Sequence, residues 1–435
     1  MPDARSDISQ LVDRRMALAR EWDEIVDRVR ELEGFEAFLR PLRLEALLPA
    51  ATNGPVVVIN ISQWHCDALI VTTGGVQVEE LPRLSAEDVS RKAYDYLRVL
   101  HQVDGATHEL QAARYRYDSG DHSLDAIRRY TEAKQAIQDA ERDRDQTLAT
   151  VLTWLWDEIA GPVLTAVGLV SPPETGQTWP RLWWCPTGLL SLLPLHAAGR
   201  YDETGQSHGQ AVLDRVVSSY TPTLRALLEA GRPPDFQPDD ERILLVALAD
   251  TPGDGPIANV AREKDLLAFL FAEHLTVLEG ETATSETVLN ELPRHRWAHF
   301  ACHGGQNLAD PSQGGLLLHD RILSVADIGA GQYRGEFAFL AACMTATGGI
   351  NLPDEAITLT AALHYTGYRH VIGTLWSVYD ETTAEVADAV YNELTSDEQF
   401  DAARSAYALH NAIRYLRDAR RLPPSAWTPF THTGP

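Results

Sequence analysis

From Arg242 onward, the chain alternates short apolar segments with helical ones. The apolar segments are RILLVAL, LTVL, WAHFAC, FAFLAA and HVIGTLW, and amphipathic segments such as AREKDLLAFLF and ITLTAALHY lie between them. Short apolar strands that alternate with amphipathic helices are typical of a mostly parallel sheet covered by helices on both faces. The sequence therefore predicts an α/β unit over residues 236–435.

The residues before this unit predict helices and a small β-structure. Apolar residues recur at helical spacing in the first part of the chain and predict a helical arm over residues 1–54. VVVINIS, CDALIVT and VQVEEL then predict strands joined by tight turns, and the charged stretch YTEAKQAIQDAERDRDQTLATVLTWLWDEI predicts a solvated helix. Residues 55–235 thus predict a smaller subdomain of β-strands and helices, which the segment GRPPDFQPDDE separates from the α/β unit.

One further segment of this subdomain is strongly apolar. RLWWCPTGLLSLLPLHAAG predicts a strand, a turn at Pro186 and Gly188, and a second strand. Core packing is a sufficient explanation of its tryptophans and leucines.

The composition indicates a globular protein with an acidic surface. Acidic residues number 62 against 37 basic ones, for a formal charge of -25, which repels phosphate backbones and anionic lipids. We therefore expect neither nucleic acid nor a membrane as a direct partner. Four scattered cysteines, a charged N-terminus and the lack of any apolar run of about 18 residues indicate a cytoplasmic protein.

Two predicted strands end in side chains that can carry chemistry. RWAHFACHGG delivers His303, and EFAFLAACMTATGG delivers Cys343. Ligands bind beyond the carboxyl ends of the strands in open parallel sheets, and consecutive strands are commonly neighbours. The sequence therefore predicts that the imidazole and the thiol meet in one cleft.

A thiol with an ordinary pKa of about 8.5 is largely protonated at neutral pH, so an adjacent imidazole is what activates it for attack on a carbonyl. The backbone amides of Gly304 and Cys343 are candidates for an oxyanion hole. Taken singly, a cysteine or a histidine at a strand end is more often structural, and only the joint placement favours catalysis. Cys302 is expected to face the core, because adjacent strand residues point to opposite faces.

Other kinds of site have weaker support in the sequence. A structural zinc site needs four ligands at tight spacings such as CxxC, and no CxxC pair is present. The glycine pairs match neither GxxxxGK[ST] nor GxGxxG in a strand-to-helix setting. No metal, nucleotide or other cofactor is expected.

HFACHGG, GGLLLHDRILSVADI, FAFLAACMTATGG and DEAITLTAALHYTGYRHVIGTLWSVYD follow one another in this order. In sequence and order these segments resemble the CHAT domain, a caspase-like peptidase module. The likeness extends from VVVINIS to the terminal WTPFTHTG, over roughly 380 residues. It implies a caspase-like, mostly parallel sheet flanked by helices.

The resemblance also implies cleavage of peptide bonds through a thiol ester, with His303 and Cys343 on the catalytic dyad of the family. The QAC-[RQG]-G signature of true caspases is missing, so a preference for aspartate is not implied. By the same resemblance, Glu355 and the stretch from Trp376 to Asp380 line or brace the substrate pocket, although a structural role is equally open. An acidic Asp380 in the pocket would favour a basic residue before the cleaved bond.

CHAT modules often lie beside sensor domains and act in bacterial defence or regulated cell death, where they cut one protein partner after a signal. The resemblance thus implies a protein substrate, and the helical arm could dock a separate activator or sensor protein. A catalytically silent CHAT scaffold that binds partners through the same cleft is the alternative. A hydrolase or transferase that uses the thiol on small molecules is a third hypothesis.

Overall fold

The computed structural model describes residues 4–32, 38, 40, 42–202, 204–232, 241–251, 255–307, 309–348, 357–396 and 399–435. Two compact units make up the chain, Met1–Pro49 and Ala50–Pro435. The helices are α1 Ala4–Arg30, α2 Leu44–Leu47, α3 Ala86–Asp118, α4 Leu124–Leu155, α5 Gly161–Ala166, α6 Leu224–Ala230, α7 Val260–Phe271, α8 Ser285–Glu291, α9 Val325–Gly329, α10 Leu359–Thr366, α11 Asp380–Leu394, α12 Ser405–Asp418 and α13 Pro424–Trp427. The strands are β1 Val56–Asn60, β2 Asp67–Thr72, β3 Gly75–Glu80, β4 Arg181–Pro186, β5 Val217–Tyr220, β6 Ile243–Ala247, β7 Leu275–Glu279, β8 Trp297–Ala301, β9 Gly304–Gly305, β10 Gly315–Leu317, β11 Ile322–Ser324, β12 Phe337–Ala341, β13 His370–Thr374 and β14 Phe430–Thr433.

The first unit contains α1 and the short α2. Several large apolar side chains of α1 are exposed, among them Met16 at 56%, Leu18 at 57% and Trp22 at 58%. The helical spacing that predicts an arm is thus present as a helix, but most of its apolar side chains are exposed, with Val26 buried.

One sheet of eleven strands forms the centre of the second unit, in the order β3-β2-β1-β4-β5-β14-β13-β12-β8-β6-β7. The pairs from β13 through β12, β8 and β6 to β7 are all parallel, whereas β14 runs antiparallel to β13. The mostly parallel α/β architecture that the sequence predicts is therefore confirmed. The sheet passes from the α/β unit to the smaller subdomain where β14 pairs with β5.

The central strands are buried on both faces, which explains why they read as continuous apolar runs. Every residue of β6, β8 and β13 is buried. Side chains alternate between two cores: Leu245 lies in the cluster with α7, α11 and α12, while Leu244 lies in the cluster with α8 to α10. The two faces of the sheet are thus closed by helices that follow each strand.

Within the first of these cores, β8 carries a buried polar group. His299 is fully buried, its Nε2 lies 2.6 Å from Glu263 Oε2, and its Nδ1 lies 3.0 Å from the hydroxyl of Tyr391. Both ring nitrogens have partners, as a buried polar side chain requires. The contact joins α7 and α11 to the strand that leads to His303.

Helices α3 and α4 form a long hairpin that the sequence predicts as helical. Ser85 begins α3 by accepting a hydrogen bond from the N–H of Asp88, and Ser123 begins α4 by accepting one from Ala126. Most of the hairpin surface is charged and exposed, but one side packs against the α/β unit, where Tyr96 contacts Trp376 with ring centroids 5.1 Å apart. The hairpin therefore reaches the carboxyl edge of the sheet.

The segment after β4 differs from the prediction. Two short 3-10 helices, Gly188–Leu192 and Leu195–Ala197, replace the second strand. Pro194, which lacks an N–H, lies between them, and Gly188 has a φ of 60°. The leucines of this segment are still buried, except for the half-buried Leu189, so its apolar composition reflects core packing without strand pairing.

In the described part of the chain, none of the helices combines the length and the apolar character that a membrane span needs.

Candidate active site

The candidate catalytic residues follow two adjacent parallel strands at the same distance. Ala301 at the end of β8 pairs with Ala341 at the end of β12. His303 and Cys343 each lie two residues beyond this pair, on strands that are about 4.8 Å apart. Both residues are partly exposed. The register thus brings the two side chains to equivalent positions at the carboxyl edge of the sheet.

The His303 ring is held by a backbone carbonyl from the loop that follows β6. Its Nε2 lies 2.7 Å from the oxygen of Gly255. A carbonyl oxygen only accepts hydrogen bonds, so Nε2 carries the proton and Nδ1 keeps its lone pair when the ring is neutral. The basic atom of His303 is therefore Nδ1.

The Cys343 thiol faces the segment that follows β13. Burial raises the pKa of this thiol, and hydrogen bonds from the Val378 N–H and the Ser377 hydroxyl, which lower it, offset the rise only in part. The negative charge of Asp104 raises the pKa further. A thiol in this setting is protonated at neutral pH and needs a base before it can act as a nucleophile.

Cys302 differs from Cys343 in its surroundings. It is 1% exposed and belongs to the core cluster on the side of α8 to α10. Burial raises the pKa of its thiol far above the ordinary value. The prediction that Cys302 faces the core is confirmed.

The loop after Cys343 is pinned to the end of β13. The hydroxyl of Thr374 donates to the carbonyl of Ala342 over 2.9 Å, and the N–H of Thr374 donates to the hydroxyl of Thr345 over 3.0 Å. Between these contacts Met344 has a φ of 58°, a left-handed conformation that non-glycine residues seldom adopt. Such strain costs on the order of 1 kcal/mol and persists only where the surroundings impose it.

Gly304 lies against the backbone of Cys343. A Cβ built on Gly304 would lie 2.8 Å from the carbonyl oxygen and 3.3 Å from the nitrogen of Cys343. The N–H of Leu317 donates to the carbonyl of His303, which makes these two a hydrogen-bonded pair in the antiparallel ladder. Pairs alternate in such a ladder, so Gly304 and Leu316 form a non-bonded pair and the Gly304 N–H points away from β10.

This close approach predicts that Gly304→Ala disturbs both the fold and the site. The added methyl group would push β9 away from Cys343, and we expect a loss of about 1–3 kcal/mol in the free energy of unfolding. The rate at which iodoacetamide alkylates Cys343 should also change severalfold. Gly305→Ala is the matched control, because a Cβ on Gly305 meets nothing within 4 Å. Equal effects of the two substitutions would contradict the proposed contact.

A cavity of about 220 Å³ opens beside Cys343. Its walls come from α3, α4, the loop after β12 and the segment after β13, and are formed by Leu97, Leu100, His101, Val103, Asp104, Thr107, Glu141, Arg144, Met344, Trp376, Ser377, Val378, Tyr379 and Ser425. The helical hairpin thus supplies one side of the cavity and the α/β unit supplies the other.

Three charged groups determine the electrostatics of this cavity. Burial raises the pKa of Asp104, and the nearby His101 and His108 counteract this rise. Glu141 accepts a hydrogen bond from the Tyr379 hydroxyl. Arg144 is paired with Asp145, an acid outside the wall, over 3.0 Å. Of the acids in the wall, Asp104 is therefore the one whose charge raises the pKa of the Cys343 thiol.

Comparison with known families identifies the family to which this chain belongs. Residues 149–435 match the family model described as "CHAT domain". The chain belongs to the CHAT domain family. The match covers the sheet from β4 to β14 together with most of the helices around it.

The CHAT chain also resembles two solved structures. The first is separase in the Saccharomyces cerevisiae separase–securin complex, with 10% identity and a TM-score of 0.53, covering 90% of this chain and 30% of that one. The second is the Arg-specific cysteine proteinase gingipain R, with 12% identity and a TM-score of 0.41, covering 64% of this chain and 68% of that one. The chain spans less than a third of the separase it matches. No curated protein matches the chain by sequence. The likeness to separase supports the caspase-like fold.

The predicted pocket residues have different surroundings in this CHAT domain. Trp376 is 2% exposed and lines the cavity, while its Nε1 donates to the carbonyl of Ser425 over 3.3 Å. Asp380 accepts hydrogen bonds from the backbone N–H and the Nδ2 of Asn259 over 2.7 and 2.9 Å. It thereby holds the loop that carries Gly255, the partner of His303. Glu355 lies outside the described residues.

The structure also places near the candidate site several groups that the sequence does not indicate. Asp104 lies in α3, for which the sequence predicts a helix but no site, and only the packing of α3 against the sheet shows that it lines the cavity. Gly255 contributes a carbonyl, which leaves no signal in the sequence. Ser377 and Val378 lie inside the stretch from Trp376 to Asp380 that the CHAT resemblance indicates.

Proposed function

We propose that this CHAT protein is a cysteine endopeptidase with Cys343 as nucleophile and His303 as general base. The observation that supports this most is the register of β8 with β12, which brings both residues to equivalent positions on adjacent strands. Nδ1 of His303 has a lone pair because Nε2 donates to Gly255. The protonated thiol beside it is the group that such a base activates.

In the proposed reaction, Nδ1 of His303 takes the proton from the Cys343 thiol as sulfur attacks the peptide carbonyl. The resulting imidazolium returns this proton to the leaving amine when the C–N bond breaks, which leaves a thiol ester. Water, deprotonated by the same Nδ1, then hydrolyses the thiol ester and releases the acid. Atoms and charge balance in each step without a metal or a redox partner.

The oxyanion of the tetrahedral intermediate needs backbone donors. In this proposal the N–H groups of Gly304 and Cys343 provide them. The Gly304 N–H points away from β10. A Cβ built on Gly304 would lie 3.3 Å from the Cys343 nitrogen. A side chain at position 304 would occupy the space between the two donors.

In the same proposal, the cavity beside Cys343 binds the side chain that precedes the cleaved bond and prefers a basic one. Asp104 lines this cavity, and Tyr379 and Asp145 already hold the other charged groups, Glu141 and Arg144. Asp380, which the CHAT resemblance suggests for this role, has its carboxylate engaged by Asn259. We assign the preference to Asp104 and treat Asp380 as a positioning residue.

The Asp104→Asn variant should lower kcat/KM about tenfold or more for substrates with arginine before the cleaved bond, since a charged hydrogen bond contributes about 1.5–3 kcal/mol. Peptides with glutamine at that position should change less than threefold. Asp118→Asn, in the last turn of the same helix and 62% exposed, is the matched control. Equal losses on both kinds of peptide would contradict a charge-based preference.

We also propose that a protein partner regulates cleavage through α1, whose exposed apolar side chains include Leu18 and Trp22. Apolar side chains in such number on one helix are typical of a surface that packs against another chain. The CHAT resemblance implies a peptidase that is activated by a signal. Under this proposal, that signal acts through the first unit.

Mapping of new protein N-termini in cells that contain the wild type or Cys343→Ala tests the proposed function. We expect a small set of cleavage sites that depend on Cys343. Cys185→Ala, which removes a buried thiol from β4, is the control and should leave these sites unchanged. A normal set of sites in Cys343→Ala would overturn the peptidase proposal. If no site depends on either cysteine under any signal, the scaffold hypothesis is favoured instead.

A further inference from the structure

A second cavity lies at the opposite edge of the sheet from Cys343. It has a volume of about 330 Å³ and opens at the amino ends of β12 and β13. Its walls are formed by Ala226, Glu229, Ala230, Arg232, Tyr333, Arg334, Gly335, His364, Tyr365, Gly367, Tyr368 and Arg369. The volume falls at the lower end of the range for small-molecule sites, which is about 300–1,000 Å³.

The charge of this cavity is opposite to that of the whole protein. Three arginines line it, in a chain whose net charge is -25. Arg232 and Arg334 are exposed and make no ion pair with any residue that the structure describes. Glu229, the one acid among the described residues of the wall, accepts a hydrogen bond from Arg225 over 2.8 Å. Two guanidinium groups are therefore available to an anion.

Arg369 is fixed within the wall. Its Nε donates to the carbonyl of Ala230 over 2.7 Å, and its nearest acid, Glu336, is 4.0 Å away and already holds Arg296 over 2.7 Å. The rest of the Arg369 guanidinium remains available for a further contact. Guanidinium groups arranged around one space bind phosphate through paired N–H donors.

Two polar atoms of the wall are buried without partners. His364 is 5% exposed and Tyr368 is fully buried, and within the described residues neither His364 Nε2 nor the Tyr368 hydroxyl has a hydrogen-bond partner. Nδ1 of His364 lies 3.1 Å from the carbonyl of Tyr368, so Nδ1 carries the proton and Nε2 can only accept. Buried polar atoms are nearly always satisfied, so these two atoms are available to a ligand in the cavity.

We propose that this cavity binds a small molecule that carries a phosphate group and a ring. The arginines bind the phosphate, the rings of Tyr333 and Tyr365 pack against the ring of the ligand, and an amino group carried by that ring donates an N–H to His364 Nε2. A nucleoside phosphate has each of these features. An inorganic anion alone would satisfy the arginines but not the buried histidine.

Helix α10 links this cavity to the segment that carries Cys343. Its carboxyl end supplies His364 and Tyr365 to the cavity. At its amino end, the N–H of Thr360 donates to the carbonyl of Thr345 over 3.1 Å, two residues beyond Cys343. An eight-residue helix is about 12 Å long and moves as one body. A ligand that fixes the carboxyl end of α10 should therefore order residues 342–348. The regulatory consequence for cleavage rests on the proposed function, whereas the binding does not.

Thermal unfolding of the full chain with adenosine monophosphate, pyrophosphate or adenosine tests the binding. We expect the monophosphate to raise Tm by about 2–4 °C at saturating concentration, pyrophosphate to raise it less, and adenosine to have the smallest effect. The double variant Arg232→Gln with Arg334→Gln should lose at least tenfold in affinity. Arg114→Gln with Arg142→Gln, which removes two exposed arginines of the hairpin, should bind as the wild type does.

Amide hydrogen exchange of residues 342–348 tests the link through α10. We expect exchange to slow at least threefold with the monophosphate in the wild type and to remain unchanged in the double variant. No rise in Tm with either phosphate compound, or equal rises in both double variants, would overturn the binding site. Binding without slower exchange would overturn the link. Neither measurement requires peptide cleavage, so both outcomes are independent of the proposed peptidase activity.

Discussion

His303→Gln should lower kcat/KM for peptide cleavage by about 1,000-fold while the protein stays folded. In the proposed mechanism the basic atom is Nδ1 of His303, because Nε2 donates to the carbonyl of Gly255. Burial raises the pKa of the thiol, so it does not ionise at neutral pH without this base. General bases contribute about 100- to 10,000-fold to such reactions. Single-turnover cleavage of a peptide identified by N-terminal mapping measures the loss.

Glutamine is the informative replacement, because its amide N–H can still donate to Gly255 and keep the loop after β6 in place. Circular dichroism and Tm should therefore remain close to those of the wild type. His274→Gln replaces an exposed histidine and should leave cleavage unchanged. Cleavage by His303→Gln within tenfold of the wild type would show that the thiol is activated by another group. Because the pKa of Cys343 is raised, its alkylation by iodoacetamide should keep increasing above the pH at which an ordinary thiol is already ionised.

The placement of His303 and Cys343 could be predicted because it depends on local patterns. The runs WAHFA and FAFLA are apolar strands, and parallel strands end at a common edge. Two residues after each run come the imidazole and the thiol. Their equivalent positions beyond two paired strands thus follow from strand length and sheet topology, which short sequence segments determine.

The walls of the cavity could not be predicted in the same way. Asp104 comes from a helix more than 200 residues before Cys343, and its position depends on how α3 packs on the sheet. In the sequence, the residues around Asp104 do not distinguish it from a solvent-exposed acid. Asp380 is the opposite case. Its position after β13 suggests a role in the substrate pocket, but its carboxylate accepts a hydrogen bond from Asn259 across the site. Long-range packing decides which acid faces the cavity.

Acid should destabilise this protein well before its carboxylates are protonated. Burial lowers the pKa of His196 and of His364 to about 4, and that of His410 to about 3. In the unfolded chain each imidazole has a pKa of about 6.5 and takes up a proton below that pH, whereas the folded state does not. Stability is therefore complete above about pH 6.5 and is lost as the pH falls toward about 4, where the folded state also binds protons.

Between pH 7 and pH 5 each of these three histidines should cost about 2 kcal/mol, and together they should lower the free energy of unfolding by about 6 kcal/mol. Urea unfolding at the two pH values measures the difference. His410→Phe is the sharpest test, because the ring packs on Trp179 with centroids 4.6 Å apart and its Nε2 makes no hydrogen bond to a described residue. Phenylalanine keeps the ring contact and removes the titration, so the loss between pH 7 and pH 5 should shrink by about 2 kcal/mol. The exposed His274→Gln should leave the loss unchanged, and an equal reduction in both variants would contradict burial as its cause.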